Sequence, residues 1–181
     1  MAELVDGERT NEIAVQIKAA LRALGKAFYL VDLEADFIHM VYAMDALCAP
    51  GKLAGNRQRI WICACASGGS AARFRELLEK YDVSYAVRNS IVHRGKSFAE
   101  LGYDGLEHAQ FMQEMLGSAI SHLAIIGVTT RRDLVGMVLD RLRLPEIEAV
   151  IAARSAAEPR LPIADDSVFR KVIRNQSTDW P

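Results

Sequence analysis

Chemistry in this chain is concentrated in eleven consecutive residues, Tyr85-Ala86-Val87-Arg88-Asn89-Ser90-Ile91-Val92-His93-Arg94-Gly95. Within them a guanidinium, an amide and an imidazole lie close together. An imidazole exchanges protons near neutral pH. A guanidinium presents a planar fork of donors that matches phosphoryl oxygens. Together they suit cleavage of an RNA phosphodiester, which carries its own nucleophile. Histidine takes the 2′-hydroxyl proton or protonates the leaving 5′-oxygen. Arginine neutralises the charge that builds on the phosphoryl oxygens. The scheme needs neither a metal nor a cofactor, and none is expected.

Spacing decides how these groups can meet. On a helix Asn89 and His93 are four residues apart and share a face. The amide is expected to orient the imidazole and leave the other ring nitrogen free. Arg88 precedes His93 by five residues and points well off that face. It joins His93 only if the segment starts non-helically, or if a second copy of the chain supplies the partner group. A two-fold pair of such helices brings two Arg-Asn-His sets into one cleft, so a homodimer is expected. Arg94 and Lys96 would add local positive charge for RNA.

A structural reading competes with this one. Asp45 falls on the apolar stripe of an upstream helix, where a carboxylate is costly unless paired or solvated. Arg88 is its candidate partner, and loss of either member of a buried pair is destabilising. The two readings are compatible, because Asp45 can hold Arg88 in position for chemistry.

The surrounding elements read as helices. Thr10 can cap a first helix with apolar positions Ile13, Ile17, Leu21, Leu24 and Phe28. Gly25 is expected to end or kink it. A second helix is predicted from near Asp32 to Cys48, with Ile38, Val41, Tyr42 and Cys48 on one face beside Asp45. Residues Arg57 to Ala66 fit a buried strand or a buried helix, and the helical neighbourhood favours helix. Ser70 is expected to cap a helix to about Tyr81, with Asp82 or Ser84 opening a separate segment that Gly95 stops. Phe98 to Gly105 reads as a loop. Helices are expected over Leu106 to Val128, Arg131 to Leu142 and Pro145 to Ala157, followed by a tail containing Arg170-Lys171-Val172-Ile173-Arg174.

Composition narrows the function classes. The 181 residues are 51% hydrophobic and 25% charged, an ordinary globular balance. A net charge of −1 argues against a general electrostatic nucleic-acid binder, so any such role rests on a local patch. Cys48, Cys63 and Cys65 form no CxxC pair, and the last two lie in an apolar run. They read as buried thiols in a reducing compartment. The acidic N-terminus has no secretory pattern and the apolar runs are too short for a membrane span, so a cytoplasmic location with no membrane partner is expected. His122 reads as a satisfied core histidine, His39 as a helix-edge residue, and Glu107 beside His108 as a complement to a helix N-terminus.

The segment from Tyr85 to Gly95 resembles the signature of the HEPN superfamily, an arginine followed after four to six residues by histidine. Tyr85, Ile91, Val92 and Gly95 are similar to the flanks found in Apea-like HEPN domains. Ala43-Met44-Asp45-Ala46-Leu47 resembles that subgroup's Ala-Leu-Glu-Ala-Leu helix, with the shorter Asp45 where glutamate is expected. Residues 59–66 resemble its arginine-containing apolar helix. The resemblance covers roughly residues 30 to 128. It implies an all-α fold, an antiparallel helical bundle with extra N- and C-terminal helices. Residues 1–29 would form an N-terminal helical extension packed on the bundle, 30–130 the bundle, and 131–181 C-terminal helices and a tail. It also implies a metal-independent endoribonuclease with a composite dimer site, acting in defence, toxin or stress response. Arg88, Asn89 and His93 would be catalytic, and Asp45 and Tyr85 supporting. An antitoxin or effector protein is a further implied partner. Many HEPN members look like binding or scaffold modules, which leaves open a non-catalytic helical dimer that binds protein or nucleotide.

Overall fold

The computed structural model describes residues 11–27, 32–48, 53 and 55–156. Among the described residues the chain forms eight helices and no strands: α1 (Glu12–Ala27), α2 (Leu33–Cys48), α3 (Gly55–Ala66), α4 (Ala71–Arg94), α5 (Phe98–Leu101), α6 (Gly105–Ile126), α7 (Arg131–Leu142) and α8 (Pro145–Ala156). The protein is an all-α helical bundle, as its periodicity predicts.

Short polar side chains set several helix starts. Asn11 Oδ1 accepts from the Ala14 N–H at 3.0 Å and caps α1, while Thr10 lies outside the described residues. Gly25 stays inside α1, which neither ends nor breaks there. Asp32 Oδ1 accepts from the N–H groups of Glu34 and Ala35 at the start of α2. Ser70 caps α4 by accepting from the Arg73 N–H.

α4 corrects the sequence reading most. No break occurs at Asp82 or Ser84, and one helix of 24 residues runs to Arg94. Neither side chain caps a new helix, because each is engaged by another element. The Asp82 carboxylate meets Arg59 and Arg154, and the Ser84 hydroxyl pairs with His108. Gly95 ends α4 as expected. It adopts φ 62°, a left-handed conformation that is strained for other residues. Its N–H bonds the Ile91 carbonyl, and the Lys96 N–H bonds that of Ser90. The predicted loop from Phe98 to Gly105 contains the short helix α5, held by a capping box between Ser97 and Glu100.

One contiguous core runs from Ile13 and Ile17 in α1 to Ile147 and Val150 in α8, with Phe37, Met44, Trp61, Phe74, Tyr81 and Met112 fully buried. α1 packs along α2, α2 against α6, and α3 against α4; α7 and α8 close onto α3 and α4. α3 is buried continuously from Arg59 to Ala66, including Cys63 and Cys65. A helix surrounded on all sides shows no amphipathic stripe, hence its ambiguous pattern. Two expected stripes are displaced. In α1, Ala20 is buried and Leu21 is 39% exposed. In α2, Phe37, Met40, Val41, Met44, Leu47 and Cys48 face the core, while Tyr42 is 44% exposed.

No single helix among the described residues is long and apolar enough to cross a membrane.

Candidate functional site

The last two turns of α4, the middle of α2 and the first turn of α3 meet where the sequence placed its chemistry. Arg88 is half-buried there. Its guanidinium carbon lies 5.6 Å from the ring centroid of Tyr42 on α2 and 5.9 Å from that of Tyr85, one turn back on α4. Its Nη1 donates to Asn89 Oδ1 at 2.9 Å. Its Nε is buried without a hydrogen bond. Two aromatic faces and a neighbouring amide thus fix this cation. The Tyr85 ring also carries the guanidinium of Arg59, 5.1 Å from its centroid. Tyr85 therefore supports two arginines at once.

Asp45 stands on α2 three residues after Tyr42. Burial pushes its carboxyl up from the ordinary 3.8 to about 6, opposed by the Gln58 hydrogen bond and the charge of Arg88. Gln58 Nε2 donates to Asp45 Oδ1 at 2.6 Å. The expected Asp45–Arg88 ion pair is absent among the described residues, and the guanidinium acts on the carboxyl only through space. The physical reason lies in competing partners: the tyrosines and Asn89 take Arg88, and Gln58 takes Asp45.

His93 is exposed on the last turn of α4, and among the described residues it makes no hydrogen bond or ion pair. The expected orientation of His93 by Asn89 does not occur: Asn89 accepts from Arg88 through its carbonyl, and no side-chain hydrogen bond joins it to His93. Since α4 is helical throughout, Arg88 and His93 project about 140° apart around its axis. That removes the non-helical route by which the two could converge within one subunit. Arg94 and Lys96 are also exposed, around the glycine that ends the helix. Positive groups at a helix C-terminus are favoured by the helix dipole.

The buried ion-pair network lies elsewhere, at Asp82. Arg154 Nε and Nη2 donate to its two carboxylate oxygens at 2.6 and 2.7 Å, and Arg154 Nη1 also donates to Asn56 Oδ1. Arg59 Nε lies 2.8 Å from Asp82 Oδ1, an ion pair without the angle of a hydrogen bond. The network ties α3, α4 and α8 together. Sequence reasoning missed it, although Arg59 next to a continuous apolar run signals a cation in need of a partner.

The other histidines have local tasks. His108 Nδ1 lies 2.9 Å from Ser84 Oγ, and its ring stacks on Phe98 and meets Tyr103 and Phe37 edge-on. Burial lowers its pKa, against the nearby Glu107 and Asp104. His122 is half-buried rather than in the core and pairs with Arg141, whose Nη1 donates to the Ala64 and Cys65 carbonyls at 3.1 and 3.0 Å. His39 Nδ1 bonds the Ala35 carbonyl at 2.8 Å. Among the described residues no group of three or more His, Cys, Asp or Glu is placed to hold a metal ion.

The chain matches no family model, no curated protein and no solved structure. The site therefore has to be read from its own geometry. That geometry is a restrained arginine, a polar carboxyl near neutrality, and an unengaged imidazole at the open end of one helix.

Proposed function

We propose that the chain is a metal-independent endoribonuclease of the HEPN type, Apea-like in its motif, acting as a two-fold homodimer on RNA. The observation that carries this reading is the division of labour on α4: Arg88 is held by Asn89 and two tyrosine rings, while His93 stands free in solvent. A held cation stabilises developing charge without reorganising, and a free imidazole can move a proton. Because the two diverge around α4, the reaction uses His93 of one subunit with Arg88 of the other. His93 accepts the 2′-hydroxyl proton, the 2′-oxygen bonds to the adjacent phosphorus, and the bond to the 5′-oxygen breaks. That oxygen leaves with a proton from an imidazolium or water. The products are a 2′,3′-cyclic phosphate and a 5′-hydroxyl. Arg94 and Lys96 contact neighbouring phosphates. The cellular role is defence or stress response, with an antitoxin or effector protein as a further partner.

The test is RNA cleavage by the purified chain in excess EDTA. Cyclic phosphate ends are expected, with activity lost in His93→Ala and in Arg88→Ala. Mixing the two inactive variants should restore cleavage, since a heterodimer keeps one site with both groups when they act across the interface. Intact RNA with the wild-type dimer over varied substrates refutes the proposal; cleavage without restoration on mixing refutes the composite site.

One observation favours a second reading, a non-catalytic helical interaction module. The Arg88 guanidinium is committed to Asn89, Tyr42 and Tyr85, and such a set can stiffen a binding face as well as serve a phosphoryl group. Under that reading His93→Ala leaves partner binding unchanged.

A further inference from the structure

We propose that the cleft between α4 and α6 is the docking site of the chain's own basic segment, Arg170-Lys171-Val172-Ile173-Arg174, whether or not the chain cuts RNA. The cleft holds about 510 Å³ beside the Ser84–His108 pair. Val83, Tyr103 and Phe111 give it an apolar wall, and Glu79, Glu107 and Glu114 give it carboxylates. All three glutamates are exposed, and none forms an ion pair among the described residues. Lys80 lines the cleft too, but its ammonium is committed. It pairs with Glu76 at 3.2 Å and lies 5.9 Å from the centroid of the Phe111 ring. Three carboxylates against one ammonium leave the lining negative, and His108, whose pKa burial lowers, does not offset it.

Charge complementarity points to the occupant. Residues 157–181 lie outside the described set. Within them the sequence gathers Arg170, Lys171 and Arg174 around Val172 and Ile173, with Phe169 just before. Such a segment brings cations to the carboxylates and apolar side chains to the wall. The second part matters, because ion pairs at an exposed surface are weak alone and apolar burial adds to them.

Placement points the same way. Arg154, in the last turn of α8, grips Asp82 of α4. A smaller cleft of about 310 Å³ between α4 and α8 is lined by Arg154 and Glu79. Glu79 lines both clefts, so α8 ends close to the acidic site. The 13 residues from 157 to 169 span up to ~43 Å when extended, far more than this path requires. A tethered segment is present at an effective concentration on the order of millimolar, which a free cationic ligand must exceed to displace it.

The experiment treats the full chain with a water-soluble carbodiimide, which joins a carboxylate to an amine only where the two touch. The Lys80–Glu76 pair is the internal control. Peptide mass spectrometry of the monomer band from a denaturing gel is expected to find Lys171 joined to Glu79, Glu107 or Glu114. The same crosslink confined to the dimer band puts the segment of a second copy in the cleft and overturns the inference. Limited trypsin digestion gives an independent readout. Cleavage after Lys171 should be about tenfold slower in the wild type than in the variant carrying both Glu107→Gln and Glu114→Gln, since docking hides the bond. Both changes keep side-chain size at exposed positions, so the fold is retained. Equal cleavage of the two proteins overturns the inference, as does absence of the Lys171 crosslink when Lys80 is joined to Glu76.

Discussion

Replacing Asp82 by alanine removes the carboxylate that Arg59 and Arg154 share. The side chains of Arg59, Arg154 and Asp82 are 6%, 17% and 23% exposed, so the arginines left behind cannot regain full hydration without moving. Breaking a buried pair typically costs about 3–5 kcal/mol because the remaining charge is uncompensated. Partial exposure of Asp82 and Arg154 screens the interaction, which places the expected loss near the lower end, about 3 kcal/mol. Asp82→Asn keeps the volume and one acceptor but no charge, and should lose about 2 kcal/mol. Arg154→Ala should cost less than Asp82→Ala, since Asp82 keeps Arg59. The double variant should be less destabilised than the sum of the single losses, because both changes act on one network. Urea unfolding of the full chain measures this through the midpoint, with the slope unchanged if the transition stays two-state. For a chain of this size, ~3 kcal/mol corresponds to a fall in Tm of about 6–12 °C. A loss below about 1 kcal/mol in Asp82→Ala, or strict additivity with Arg154→Ala, would refute the idea that this network holds α3, α4 and α8 together.

Further outcomes follow from other sites. The Asp45 carboxyl titrates near 6 in the folded chain against an ordinary 3.8, so the folded state binds that proton more tightly. Its contribution to stability therefore falls as pH rises from about 4 to about 6; Asp45→Asn should flatten that part of the profile and stabilise the chain at pH 8 by up to ~3 kcal/mol. An unchanged profile in chemical denaturation would contradict this. At Gly105, an added Cβ would lie 2.5 Å from Phe98 Cδ2 and 2.6 Å from Leu33 Cδ2. Gly105→Ala should accordingly destabilise by about 1–3 kcal/mol through overpacking, and calorimetry showing an unchanged Tm would argue against so close an approach of α2, α5 and α6.

Helix-forming periodicity, caps and stops made the all-α class and most boundaries legible. Ser70, Gly95 and Pro145 punctuate the chain where their backbone preferences say they should. Asp82 and Ser84 misled because short polar residues favour helix starts only when their side chains have nothing better to bind. Here residues 23, 72 and 24 positions away occupy them, and local sequence carries no record of such partners. Tyr42 misled for a related reason. Hydropathy counts it with the core, but it lies about 100° around α2 from the buried Val41 and so faces outward. At the candidate site, the residues from Arg88 to His93 all fall on one helix, α4. The pairing inside it was not readable. Asn89 is adjacent in sequence to one possible partner and a helical turn from another, and spacing alone does not tell which wins.

Arg141 has a consequence for the order in which the chain can mature. The end of α3 is buried, and two of its last carbonyls, those of Ala64 and Cys65, are bonded by a guanidinium from α7. Local sequence offers α3 no basic residue in its final turn. During synthesis the ribosome releases α3 long before residue 141 exists, so for that interval the Cys65 carbonyl lacks its guanidinium partner and Ala64 has only the nearby Ser67 hydroxyl, with water completing both. The centre of the bundle can therefore dehydrate fully only after its second-last described helix has emerged, and a chain stalled before that point would present a wet, incompletely closed core to the cell's quality-control machinery.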